Sequence, residues 1–157
     1  MVGIVCISAY AFTLIVILSP FLYNAGTMVH LDGSPGIMDN GWSISTAQYL
    51  LGDVFCHQEM SRSFVANGNQ MPFCVRDTGI FVGMCVGLSA LLSAKRTFGE
   101  RRIVFTGIVL IAVTVIEWTY GYACGDTIAL RFASGIPAGI GLSMLIICYI
   151  DSMYKKD

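Results

Sequence analysis

Four long apolar runs govern what this chain can fold into. They cover about residues 3–23, 78–94, 103–120 and 130–150. A helix needs about 20 apolar residues to cross the hydrocarbon core of a bilayer, within a range of about 17–25. All four runs meet that length. The first carries no charge, the third contains Glu117, and the fourth opens at Arg131. The polar remainder is too small to clothe a soluble fold. Only 12% of the 157 residues are charged and 55% are hydrophobic, where a soluble domain carries roughly 25% charged residues. The expected fold class is therefore all-α, an integral membrane bundle of four transmembrane helices in one domain over 1–157. The lipid bilayer is the first expected partner. A net charge of −1 without an extended basic patch argues against nucleic acid.

The first run reads as a retained helix. It is longer than the usual signal-peptide core of about 7–15 residues, lacks a basic leader, and is followed by no small-x-small cleavage pattern. Basic residues then set the expected orientation. Lys95, Arg96, Arg101 and Arg102 fill the short loop between the second and third runs, and Lys155 and Lys156 lie in the tail. Both regions are expected in the cytoplasm, with both termini inside. The long connection 24–77 and the turn around 121–129 then face outward, into the extracytoplasmic space.

Within that outer connection, Asn24–Gly41 reads as loop. From Ser45 to about Gln58 the pattern becomes helical. Ala47, Leu50, Leu51, Val54 and Phe55 recur at three- and four-residue spacing, with Ser43 or Ser45 as a cap. This extracytoplasmic amphipathic helix is expected to lie on the membrane surface or close over the bundle, and to deliver Cys56 and His57 at its last turn. Ala66–Met71 reads as a turn. Gly79, Gly83 and Gly87 in the second run, and Gly135 and Gly139 in the fourth, form small-residue faces for close helix packing.

The chemistry concentrates at one end of the expected bundle. Glu117 lies fourteen residues beyond Ile103, roughly 21 Å along a helix, which puts it toward the outer side. Arg62, Arg76, Asp77, Asp126 and Arg131 fall on the same side and form a charged mouth with it. Such groups are costly near lipid and mark either function or register-fixing ion pairs, such as Glu117 with Arg131 or Arg76 with Asp77 or Asp126. Cys6, Cys85 and Cys148 sit in apolar runs and read as small core residues. Cys56, Cys74 and Cys124 face the outer compartment, and three readings stay open for them. Cys56 and Cys74 can staple the seventeen intervening residues by a disulfide, contributing roughly 3 kcal/mol. Cys56, His57, Cys74 and Cys124, with a carboxylate or His30, can bind Zn or Cu. Adjacent Cys56 and His57 could share one ion only if the helix has already ended, because neighbours on a helix point about 100° apart. Thirdly, Cys56 and Cys74 can cycle as a thiol–disulfide oxidoreductase, although the CxxC pair usual for that chemistry is missing.

The joined motifs Cys56-His57-Gln58, Arg62-Ser63-Phe64, Pro72-Phe73-Cys74-Val75-Arg76-Asp77-Thr78-Gly79-Ile80 with Gly83, and Asp126 through Arg131 with Gly135 resemble the domain-of-unknown-function 2085 family of small prokaryotic membrane proteins. The likeness covers roughly 48–145. It implies a polytopic membrane protein and brings no activity with it. Members of that family often carry a second cysteine just after the arginine, where this chain has Asp77. The functional expectation is a metal- or anion-binding protein, or an accessory subunit of a larger membrane complex. The alternatives are the oxidoreductase and a structural subunit with a stapled loop.

Overall fold

The computed structural model describes residues 2–37, 40–93 and 99–154. The expected cytoplasmic marks Lys95, Arg96, Lys155 and Lys156 lie outside the described residues. In chain order the elements are α1 (Val2–Leu18), α2 (Ala47–Phe55), β1 (Ser63–Ala66), β2 (Asn69–Cys74), α3 (Val75–Ser93), α4 (Glu100–Cys124) and α5 (Ile128–Tyr154), with short 3₁₀ turns at Ser19–Leu22, Ile44–Thr46 and Met60–Arg62. Four helical stretches are long and apolar enough to cross a membrane: Val2–Leu22, Val75–Leu92, Glu100–Cys124 and Ile128–Met153. They match the four apolar runs. The helices extend past the edges of the apolar runs because flanking polar residues such as Arg101, Arg102 and Asp77 continue the same backbone geometry. The helical expectation holds, with one small two-stranded sheet added.

The chain divides into two compact units, residues 1–11 with 79–157, and residues 12–78. The first is helical. Its packing is decided by what its glycines lack. A Cβ on Gly83 would overlap the Ile136 carbonyl, and one on Gly139 would overlap that of Ile80, so α3 and α5 meet backbone to backbone. Gly107 and Gly141 do the same between α4 and α5, where a Cβ on Gly107 would stand 3.0 Å from the Gly141 carbonyl oxygen. Thr114 Oγ1 donates to the Ser134 carbonyl at 2.6 Å and ties α4 to α5 again. Cys6, Leu88 and Ile147 form a small buried apolar cluster with Val2, Val5, Ala9 and Leu91 packed against it. Cys6 and Cys85 are buried, as small core residues should be. The outward residues are the large apolar ones, including Phe105, Ile108, Ile116 and Trp118. Small and hydroxyl residues inside with hydrocarbon outside is the arrangement that lipid, not water, makes stable.

The second unit has a polar interior. Asn67 (φ 50°) and Gly68 (φ 69°) form a two-residue turn that closes β1 on β2 as an antiparallel hairpin. Both turn residues need positive φ, and Asn-Gly supplies it at low cost. The register pairs Ser63 with Cys74 and Ala66 with Asn69, with an irregularity between Ser63 and Val65. Helix α2 packs on β2 and is shorter than the sequence pattern suggests. It is preceded by a 3₁₀ turn with a capping box at Ser43 and Thr46. Its orientation is the reverse of an ordinary amphipathic helix. Tyr49, Gly52 and Asp53 face inward, while Leu51 and Phe55 are 40% and 71% exposed and Ile44 of the preceding turn is 97% exposed. Of the apolar stripe recognised in the sequence, Ala47, Leu51 and Phe55 are exposed, and Leu50 and Val54 are half-buried.

Substituting Gly139 by Val forces a side chain into the Ile80 carbonyl and is expected to destabilise the protein by about 1–3 kcal/mol or more. Thermal unfolding of the detergent-solubilised protein should show this as a lowered midpoint, whereas Gly3→Val, at a position with nothing nearby, should leave it unchanged.

Candidate functional site

Cys56, Cys74 and Asp77 come together within the second unit. One ligand atom from each, two thiol sulfurs and a carboxylate oxygen, all lie within 4.8 Å of one another. Each arrives for a local reason. Helix α2 ends at Phe55, and Cys56 follows in extended conformation (φ −138°, ψ 149°). Cys74 is the last residue of β2, and Asp77 stands in the first turn of α3, three residues on. An acid in that turn is favoured by the helix dipole. The strand-to-helix junction therefore carries two of the groups and the end of α2 the third.

A polar scaffold holds that junction. Gln58 is fully buried, and its Nε2 donates to the carbonyls of Tyr49 (3.1 Å) and Pro72 (2.9 Å). This joins α2 to β2 directly beside the two cysteines. Gln70, also fully buried, donates through Nε2 to the Gln58 carbonyl and to Ser63 Oγ, and Tyr49 donates its hydroxyl to the Gln70 carbonyl at 2.7 Å. Asn69 donates through Nδ2 to the carbonyls of Pro20 (2.8 Å) and Asn24 (3.1 Å), and accepts the Met28 N–H at 3.0 Å. Buried backbone carbonyls that lack a ladder partner thus find side-chain amides instead.

Within the cluster, the Cys74 N–H donates to Cys56 Sγ at 3.3 Å, and Cys74 Sγ donates to Asp77 Oδ2 at 3.0 Å. Both cysteines are free thiols, so the expected staple between them is not formed. The neighbouring Cys74 side chain holds Cys56 below the ordinary thiol range, against the opposing effect of burial. The same contact pushes Cys74 strongly upward, with burial and the Asp77 charge adding to it. Of the two sulfurs, Cys56 is the more acidic.

Of the other expected site residues, His57, Arg62 and Arg76 belong to the second unit, and Cys124, Glu117, Asp126 and Arg131 to the first. His57 is exposed while its neighbour Cys56 is buried, because successive residues of extended chain point in opposite directions. The helix has indeed ended before Cys56, but the result separates the pair rather than aiming both at one ion. Arg62 is exposed and pairs with Glu59 at 3.1 Å. Arg76 is partly buried on the same turn as Asp77. Cys124 is exposed at the end of α4, in the other unit. In that unit Arg131 Nε donates to Asp126 Oδ1 at 2.6 Å, and the two form a largely buried ion pair. Glu117 Oε2 accepts the Ser134 hydroxyl at 2.7 Å. Arg131 is thus paired with Asp126, where the sequence suggested Glu117. Asp53, Asn69 and Gln70 carry no signal in the sequence. Only Asn67-Gly68 advertises itself there, as a hairpin turn next to them.

Residues 56–145 match the family described as "Predicted membrane protein (DUF2085)". The chain belongs to this family. Two archaeal proteins, both described as uncharacterized, are similar to it. One, from Methanothermobacter thermautotrophicus, is 34% identical over 95 residues, covering 57% of this chain and 82% of its own length. The other, from Methanocaldococcus jannaschii, is 29% identical over 158 residues, covering 98% of this chain and 95% of its own. No solved structure matches the chain. The family match begins at Cys56, so it takes in the whole thiol cluster together with α3, α4 and most of α5.

Exposure separates the thiols kinetically. A maleimide reagent added to the folded, reduced protein is expected to label Cys124 well before Cys56, which is 6% exposed. Peptide mapping against time checks this, and equal rates would mean that the cluster opens readily.

Proposed function

We propose that this membrane protein binds a thiophilic metal ion, zinc in the first place, at Cys56, Cys74 and Asp77 on its extracytoplasmic side. The observation that carries the reading is the convergence of two sulfurs and a carboxylate oxygen within 4.8 Å, from the end of α2 and the junction of β2 with α3. Two thiolates and one carboxylate suit Zn²⁺, and the sulfurs also suit copper(I). Three protein ligands leave a fourth position for water or an exchanging group, as in sites that act on or hand on their ion rather than bury it. The charge pattern supports the same assignment. Cys56 is the more acidic of the two sulfurs, so the Cys74 proton is the harder one for a metal to displace. The outward placement rests on the basic loop Lys95-Arg96 with Arg101 and Arg102 on the opposite side of the second run.

Elemental analysis of protein purified without chelators, together with Zn²⁺ and copper(I) titrations, tests this. About one equivalent of metal is expected. Cys56→Ser, Cys74→Ser and Asp77→Asn should each weaken binding by about tenfold or more while the helical circular dichroism stays unchanged. Metal-free protein that takes up neither ion, or an intact mass two hydrogens lower with Cys56 and Cys74 joined under all conditions, would overturn the proposal. Proton and metal compete for Cys74, so affinity should rise with pH, by about tenfold per unit where a single proton is displaced. A pH-independent affinity would mean that Cys74 is not a ligand.

A further inference from the structure

A second group of buried oxygens lies in the same unit, on residues separate from the thiols. Asp53 is fully buried on the inner face of α2. Its Oδ2 accepts the Trp42 indole N–H at 2.6 Å and the Asn40 N–H at 3.3 Å. Its Oδ1 is buried and has no hydrogen-bond partner among the described residues, and the same is true of Gln58 Oε1. The Gln58 amide cannot be turned round to cure this. Its Nε2 donates to two carbonyls, and exchanging the atoms would set oxygen against oxygen at both. Two acceptor oxygens are therefore left over, and both border Gly33. A Cβ there would overlap Asp53 Oδ1 and stand 3.8 Å from Gln58 Oε1, so glycine keeps the space in front of them open. Gly33 is itself pinned by its N–H to the His57 carbonyl at 2.8 Å.

The charge decides what belongs in that space. Among the described residues the partners of Asp53 are Trp42 and Asn40, both neutral donors. A buried carboxylate without a countercharge is strongly disfavoured. A water molecule could donate to both oxygens but would leave the charge uncompensated. A small cation satisfies both oxygens and the charge together. The ligands are a carboxylate and an amide oxygen, which are hard donors and favour hard cations over thiophilic ones. One carboxylate matches a single positive charge. We infer that Asp53 Oδ1 and Gln58 Oε1, beside Gly33, bind a small monovalent cation of the sodium class. It would brace α2 against the loop that carries Gly33.

Thermal unfolding of the detergent-solubilised full-length protein, with chelator present, in sodium chloride and in choline chloride at equal ionic strength, tests the inference. Chelator removes any contribution from the thiol site. The midpoint in sodium is expected to be higher by about 3 °C or more once sodium is well above its dissociation constant. Asp53→Asn, which removes the charge, should melt at the same temperature in both salts. Gly33→Ala, which fills the space, should also lose the difference. Equal midpoints for the unaltered protein in the two salts would overturn the inference. A sodium effect that persists undiminished in Gly33→Ala would overturn this location. The wild-type comparison decides the matter even if both variants fail to fold.

Discussion

The two hydrogen bonds donated by Gln58 Nε2 are what the candidate site depends on. One goes back to Tyr49 within α2 and the other across to Pro72 in β2. Cys56 lies two residues before Gln58, and Cys74 two residues after Pro72. Fixing the amide between those carbonyls therefore fixes the sulfurs opposite each other. Gln70 repeats the device from the other side, using Ser63 and the Gln58 carbonyl. Each buried carbonyl left without a donor would cost about 1–3 kcal/mol, so alternative placements of this loop are strongly penalised. The thiol geometry is a consequence of backbone hydrogen-bond satisfaction.

Which side of each helix faces inward follows from where its polar groups find partners. In water, α2 would bury Leu51 and Phe55 and expose Asp53. Here Asp53 and Tyr49 are inside, Leu51 and Phe55 are exposed, and Leu50 and Val54 are half-buried. The spanning helices follow the same rule, with Thr114, Ser134 and Ser143 buried and Phe105 and Ile116 exposed. Hydrocarbon neither rewards apolar burial nor satisfies polar groups, so polar groups turn inward and close packing of small residues supplies the contact. Glycine faces on α3 and α5 then matter more than large hydrophobic ones.

Much of this is legible in the amino-acid order. The four spans show as uninterrupted apolar length, and the glycine spacing of Gly79, Gly83 and Gly139 announces backbone contact. Cys56 and Cys74 stand out as thiols in a polar connection. Other features are hidden. Periodicity locates α2 but cannot tell which face is inner, because an apolar stripe repeats every 3.6 residues whether it meets lipid or a protein core. The hairpin escapes notice because Asn67-Gly68 shows as a turn without its flanking strands, one of which contains Pro72. Adjacency groups His57 with Cys56, and extended backbone sends it the other way.

By itself the sequence determined that this protein belongs in a membrane, how many times its helices can cross, and where its thiols and charged residues stand along the chain. Those depend on local composition and on lengths measured against a bilayer. Tertiary structure alone decided that Asp77, not His57, joins the two sulfurs, that Arg131 pairs with Asp126, and that Asp53 faces inward with an oxygen to spare. Each of these depends on the backbone conformation a residue adopts and on which partners folding brings within hydrogen-bond reach, neither of which residue spacing alone specifies.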